Sequence, residues 1–243
     1  MASTSETGHA KNVANFQDLI SFVTGYGPTY NPNKDALKIP QLNTVHTNAQ
    51  AGVADVISKK TNHDTAINDR SNAFKDLKSL ATRIINALQV TDALAGTIED
   101  AKAYNKKLQG ARANASATPA NPDAVAPNTR STSQQSYDQQ IQHLAGIISI
   151  VASEPSYAPN ENDLKVATLT AKQASLTTKN NAVDTAYVSV SNARIARDKT
   201  LYSSDTGLLD IATDVKQYVK SVFGGTSPQY DQVKSIKFSK KKD

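Results

Sequence analysis

The 243-residue chain has no cysteine, no tryptophan and a single methionine. The missing cysteine excludes disulfides, thiolate metal sites and cysteine nucleophiles, and fits a reducing compartment. Aromatic residues make up only 6%, as five Phe and nine Tyr. The core must therefore be built mainly from Ala, Val, Ile and Leu, as in helical bundles. No apolar run approaches the ~20 residues of a membrane span; the longest, LAGIISIVA at 144–152, has nine. The opening MASTSETGHAKN has neither a charged n-region nor an apolar h-region. No standard secretory signal is visible, so a cytoplasmic location is expected, non-classical export aside.

Motifs that carry chemistry are also missing. The chain has no Walker loop, no G-x-G-x-x-G, no H-E-x-x-H and no G-x-S-x-G. The GYG at 25–27 reads as a helix stop. Of the four histidines, His9, His46, His63 and His143, the middle two lie 17 apart, too far for an i, i+4 metal pair. All four are expected to be solvated or at the core edge. Glu99 and Asp100 are adjacent carboxylates without an acid–base partner. Arg194, Arg197 and Asp198, with Arg70 and Asp69, read as near-surface ion pairs. No catalytic, cofactor-binding or metal residue is assigned, no cofactor is expected, and the chain is not read as an enzyme.

What is present is one phrase that occurs twice. Residues 30–42 read YNPNKDALKIPQL and residues 157–169 read YAPNENDLKVATL. Tyr30, Pro32, Asn33, Leu37, Lys38 and Leu42 recur as Tyr157, Pro159, Asn160, Leu164, Lys165 and Leu169, at an offset of 127. Spaced identity of this kind indicates an internal duplication. Pro32 and Pro159 bring the chain in extended, Asn33 and Asn160 suit N-cap positions, and Asp35, Glu161 and Asp163 suit the positive end of a helix dipole. Tyr30, Pro32, Asn33, Tyr157, Pro159 and Asn160 thus form a repeated helix-cap motif, with the tyrosines as staples.

The match extends on both sides. Val13, Phe16, Leu19, Ile20 and Val23 follow helical spacing over 10–24; Ile141, Leu144, Ile147, Ile148 and Val151 repeat it at an offset of 128. A long helix is expected from 34 to about 75, buried through Leu37, Leu42, Val45, Ala49, Val53, Val56, Ile67 and Phe74, with a kink at Pro40. Its partner runs from 161 to about 201 through Leu164, Leu169, Leu176, Val183, Tyr187, Val190 and Leu201. Each leads into a shorter helix: LKSLATRIINAL at 77–88, possible as a direct continuation, and LLDIATDVKQYV at 208–219, matched at an offset of 131. Residues 94–110 form one more helix, and YDQVKSIKF at 230–238 is open between helix and strand.

The expected fold is all-α: an elongated antiparallel helical bundle of two pseudo-twofold-related repeats with two long helices. Its parts are a disordered N-terminus (1–9), repeat 1 (10–110), a flexible linker rich in Ala, Pro, Asn, Ser and Thr (111–132), repeat 2 (133–226, packing with repeat 1 as one bundle) and a basic tail (227–243). Of the formal charge of +5, residues 233–243 carry +4. A nucleic-acid surface would spread its basic residues over a folded face, so nucleic acid is not the expected partner. Lys237, Lys240, Lys241 and Lys242 could meet an anionic surface, or simply solubilise the tail.

The Tyr-Pro-Asn phrase, SNARIARD at 191–198, and KSVFG followed by SPQYDQVKSIKF at 220–238 resemble a family of uncharacterised bacterial proteins typical of Bacteroidota. The resemblance implies a duplicated, all-helical chain and transfers no activity or site residue. The function expected is that of a non-enzymatic structural or interaction protein, acting through self-assembly or an unknown protein partner. The alternative is a membrane-active bundle, similar to a helical pore-forming toxin component, that opens through the short apolar helices.

Overall fold

The computed structural model describes residues 8–110 and 134–239. Most of the expected disordered N-terminus, the linker at 111–132 and Lys240, Lys241 and Lys242 lie outside the described residues. The described chain is all-helical. Its α-helices are α1 (His9–Gly25), α2 (Ile39–Phe74), α3 (Leu77–Gln89), α4 (Ala95–Gln109), α5 (Tyr137–Ser153), α6 (Val166–Tyr202), α7 (Leu208–Phe223) and α8 (Pro228–Lys234). Short 3-10 turns occupy Gly27–Thr29, Asp35–Leu37 and Asn162–Leu164. None of the helices is long and apolar enough to cross a membrane, among the described residues.

The two long helices exist, at 36 and 37 residues, each about 55 Å at 1.5 Å per residue. They start later than expected. Asn33 and Asn160 are exposed and precede the 3-10 turns, whose N-caps are Lys34 and Glu161 with no side-chain capping bond. The helix proper begins only after an extended residue, Lys38 (φ −68°, ψ 142°) or Lys165 (φ −64°, ψ 139°). The Lys38 carbonyl accepts from the N–H groups of Gln41 and Leu42, and the Lys165 carbonyl from that of Leu169. Pro40 therefore falls in the first turn, where its missing N–H would have had no partner. It does not interrupt a helix interior. α2 and α3 are also separate, parted by a turn at 75–76.

The chain divides into two compact units, each with its own core. Unit 1 comprises Met1–His63 and Ala186–Asp243; unit 2 comprises Asp64–Thr185. The division falls inside α2 and α6 and crosses the sequence repeats at 10–110 and 133–226. Each unit takes elements from both halves of the chain.

In unit 1, α1 places Val13, Phe16, Leu19, Ile20 and Val23 against Leu208, Ile211, Ala212, Val215 and Val219 of α7, with Tyr30, Leu37, Leu42 and Val233 closing the cluster. Val233 belongs to α8, so the segment left open between helix and strand begins as a helix docked by one buried side chain. In unit 2, Leu144, Ile147, Ile148 and Val151 of α5 meet Leu77, Ala81, Ile84, Ile85 and Leu88 of α3, with Tyr157, Leu164, Leu169 and Leu176. α4 adds Ala101 and Leu108. A Cβ on Gly146 would lie 2.5 Å from the Tyr104 ring, so glycine admits this tyrosine to the α4–α5 contact.

The long helices depart from the expected burial. On α2, Val45, Val53 and Val56 are half-buried and Ile67 is exposed; on α6, Tyr187 is exposed. On α2 the buried apolar residues, Leu42, Ala49 and Phe74, lie in its first third and at its end, whereas α6 buries Leu169, Leu176, Val183, Val190 and Leu201 along its length, as a core-facing stripe does.

Candidate functional site

The repeated phrase forms two equivalent tyrosine-closed turns. Tyr30, 6% exposed, donates from its hydroxyl to the Leu37 carbonyl at 2.8 Å. Tyr157, 7% exposed, donates to the Leu164 carbonyl at 3.0 Å. In each turn the leucine that carries the carbonyl is buried in the core, and the phenol satisfies an acceptor that burial would otherwise leave unpaired. Burial raises the Tyr157 hydroxyl to about 12 and that of Tyr30 further still, in the latter case with help from Tyr218. Pro32 is buried and Pro159 half-buried. Asn33 and Asn160 are both exposed. The six residues of the expected cap motif thus lie on two turns, one per unit, that close on a tyrosine rather than on an asparagine cap.

Each turn docks on a short helix through an ion pair. In unit 1, Lys34 Nζ lies 2.6 Å from Asp214 Oδ2 of α7, and the Tyr30 ring meets Tyr218 edge-on at 5.3 Å. In unit 2, Asp163 pairs with Arg83 of α3. The hydrogen bond to Asp214 raises the Lys34 ammonium pKa, and the one from Arg83 lowers that of the Asp163 carboxyl. The polarity is reversed: the turn is cationic in unit 1 and anionic in unit 2.

The expected near-surface ion pairs form in part. Arg197 donates to the adjacent Asp198 at 2.7 and 2.9 Å. Arg70 does not pair with Asp69. It donates to Asn180 Oδ1 at 3.0 Å and lies 4.2 Å over the Tyr137 ring, while Asp69 pairs with Lys179 at 2.7 Å. No group of three or more His, Asp or Glu residues suited to a metal occurs among the described residues. His143 departs from its expected place at the core edge: it is buried, at 3% exposure. Burial and then Lys107 lower its pKa, against a hydrogen bond to the Gln134 backbone. Its Nε2 has no hydrogen-bond partner among the described residues.

The most developed polar arrangement is one that sequence reasoning missed. Asn12 and Asn15 of α1 are buried on the helix that carries Phe16, Leu19 and Val23. Their amides hold the backbone of residues 237–239. Lys237, one of the four expected anionic-surface contacts, exposes its side chain while its carbonyl accepts from Asn15. The available signal was two polar residues beside an otherwise apolar helical face, a pattern that reads equally as the edge of an amphipathic stripe. Chemically, the arrangement can recognise an extended main chain. No family model matches the sequence, and no curated protein or solved structure matches it either.

Proposed function

We propose that the chain is a non-enzymatic cytoplasmic scaffold that acts by binding protein surfaces, its own or those of a partner. The observation that carries this reading is an apolar row on the solvent side of α6 in unit 1. Val188 and Ile195 are 55% and 65% exposed, one heptad apart and so nearly in line on the helix, with Tyr187 beside them at 59%. Single exposed apolar residues need no explanation; a row on one helix face suits protein contact. Val13, Phe16, Leu19, Ile20 and Val23 of α1 and Leu144, Ile147, Ile148 and Val151 of α5 are buried in their own units, with Phe22 exposed, which favours this reading over the membrane-active alternative.

The same proposal includes a duplicated ancestry with pseudo-twofold character. In its support, Phe16 and Leu144, Leu42 and Leu169, Ala81 and Ala212, and Leu88 and Val219 are buried pairs at the sequence offsets 128, 127, 131 and 131. The tyrosine–carbonyl bonds recur with them.

Sedimentation of the intact protein from nanomolar to millimolar concentration, with affinity capture alongside, tests the binding reading. Concentration-dependent mass, or a captured partner, that Val188→Asp with Ile195→Asp abolishes is the expected result. A monomer at every concentration, with no partner whose capture depends on these residues, contradicts it.

A further inference from the structure

Asn12 and Asn15 are 1% and 8% exposed, and a buried amide needs partners. Both find them on one segment outside the helices, and Asn12 Nδ2 also donates to the Tyr202 hydroxyl at 3.4 Å. Asn12 Nδ2 donates to the Ser239 carbonyl at 2.8 Å, and the Ser239 N–H donates to Asn12 Oδ1 at 2.9 Å. Asn12 thus offers residue 239 the donor–acceptor pair that a neighbouring strand would offer. Asn15 Nδ2 donates to the Lys237 carbonyl at 2.5 Å, and Lys216 of α7 donates to the Ile236 carbonyl at 2.5 Å. Every one of these bonds to residues 236–239 addresses main chain. The side chains alternate as in a strand: Ile236 and Phe238 pack on the unit 1 core, while Lys237 lies between them in sequence and outside that cluster. Lys216 Nζ also lies 4.9 Å over the Phe238 ring.

We propose that α1 and α7 form a groove for an extended peptide of the pattern large apolar, any, large apolar, any. Residues 236–239 are its resident occupant, and the same segment of a second copy can replace them. Main-chain bonds supply affinity and the two apolar pockets supply selectivity, as in strand-addition recognition. Attachment through α8 gives the resident segment an effective concentration of millimolar order, so the self-occupied state prevails in dilute protein. The exchange between copies rests on the binding reading above; the groove does not.

The test uses the full-length chain with a specific protease site inserted between Ser235 and Ile236. Before cleavage, hydrogen exchange should show Ser239 N–H protected; loss of protection there contradicts a groove that holds the segment. After cleavage, a labelled synthetic peptide of residues 236–243 should bind the nicked protein saturably by fluorescence anisotropy. N-methylation of the peptide at Ser239, which removes one donor without altering the protein, should weaken binding by roughly tenfold. Phe238→Ala in the peptide should weaken it further, and Lys237→Ala should leave it unchanged. Absence of saturable binding, or equal binding by a scrambled peptide of the same charge, overturns the groove. If the peptide binds and the intact chain never exceeds monomer mass, the groove stands and exchange between copies is refuted.

Discussion

Unit 1 and unit 2 each bury a short apolar helix against a helix from the other half of the chain, yet they differ where charge and hydrogen bonding are concerned. In each, a short apolar helix, a tyrosine-closed turn and the start of a long helix pack on a helix from the other half of the chain. The apolar positions correspond closely. The polar ones do not: cationic Lys34 on anionic Asp214 becomes anionic Asp163 on cationic Arg83, and buried Asn15 becomes buried His143 at the 128 offset. The comparison teaches that burial of aliphatic stripes sets the shared architecture, while polar residues give each unit its own identity. The reversed pairs also make docking of either turn on the other unit's short helix repulsive, since Lys34 would then face Arg83 and Asp163 would face Asp214.

The largest effect should come from the shared core. Phe16→Ala and Leu144→Ala remove equivalent, fully buried side chains, and each should cost about 3–5 kcal/mol in urea unfolding. If the units are alike, hydrogen exchange will rise first in the unit that carries the change. Next are Tyr30→Phe and Tyr157→Phe, each of which strands a buried carbonyl. Both should cost about 1–2 kcal/mol, and a clear inequality between them would break the equivalence of the two turns.

A pH titration should separate the units. His143 titrates below its ordinary value of 6.5 in the folded state, so the unfolded chain binds more protons just below that pH. Stability of unit 2 should fall as pH drops from about 6.5 toward the lowered folded value, while unit 1, with Asn15 there, lacks this dependence. His143→Asn should flatten the unit 2 profile in a pH-resolved melting series. The smallest effect belongs to the exposed ion pairs. Asp214→Lys should lower the melting temperature slightly at low salt, Lys34→Asp in the same chain should restore it, and high salt should erase both changes.

Much of this organisation was legible in the sequence because aliphatic residues recur at helical spacing. The short apolar helices and the two long helices follow from that period, and the duplicated phrase from identities at an offset of 127. The helices start later than the sequence suggests because Asn33 and Asn160 satisfy the rules for a cap, whereas the tyrosine bond seven residues along holds the chain in a 3-10 turn first. The burial of Val53, Val56 and Ile67 was overestimated because periodicity identifies a face without showing whether anything covers it. Asn12 and Asn15 were overlooked because their partner, the backbone of 237–239, carries no sequence signature. The tail itself advertised only its lysines.

Each unit is assembled from both halves of the chain. Cleavage at a protease site placed at residue 121, followed by size-exclusion chromatography and circular dichroism, tests this directly. The two fragments should remain together with undiminished helicity, because each unit needs elements from either side of the cut. Separation into two fragments that stay folded on their own would contradict the account.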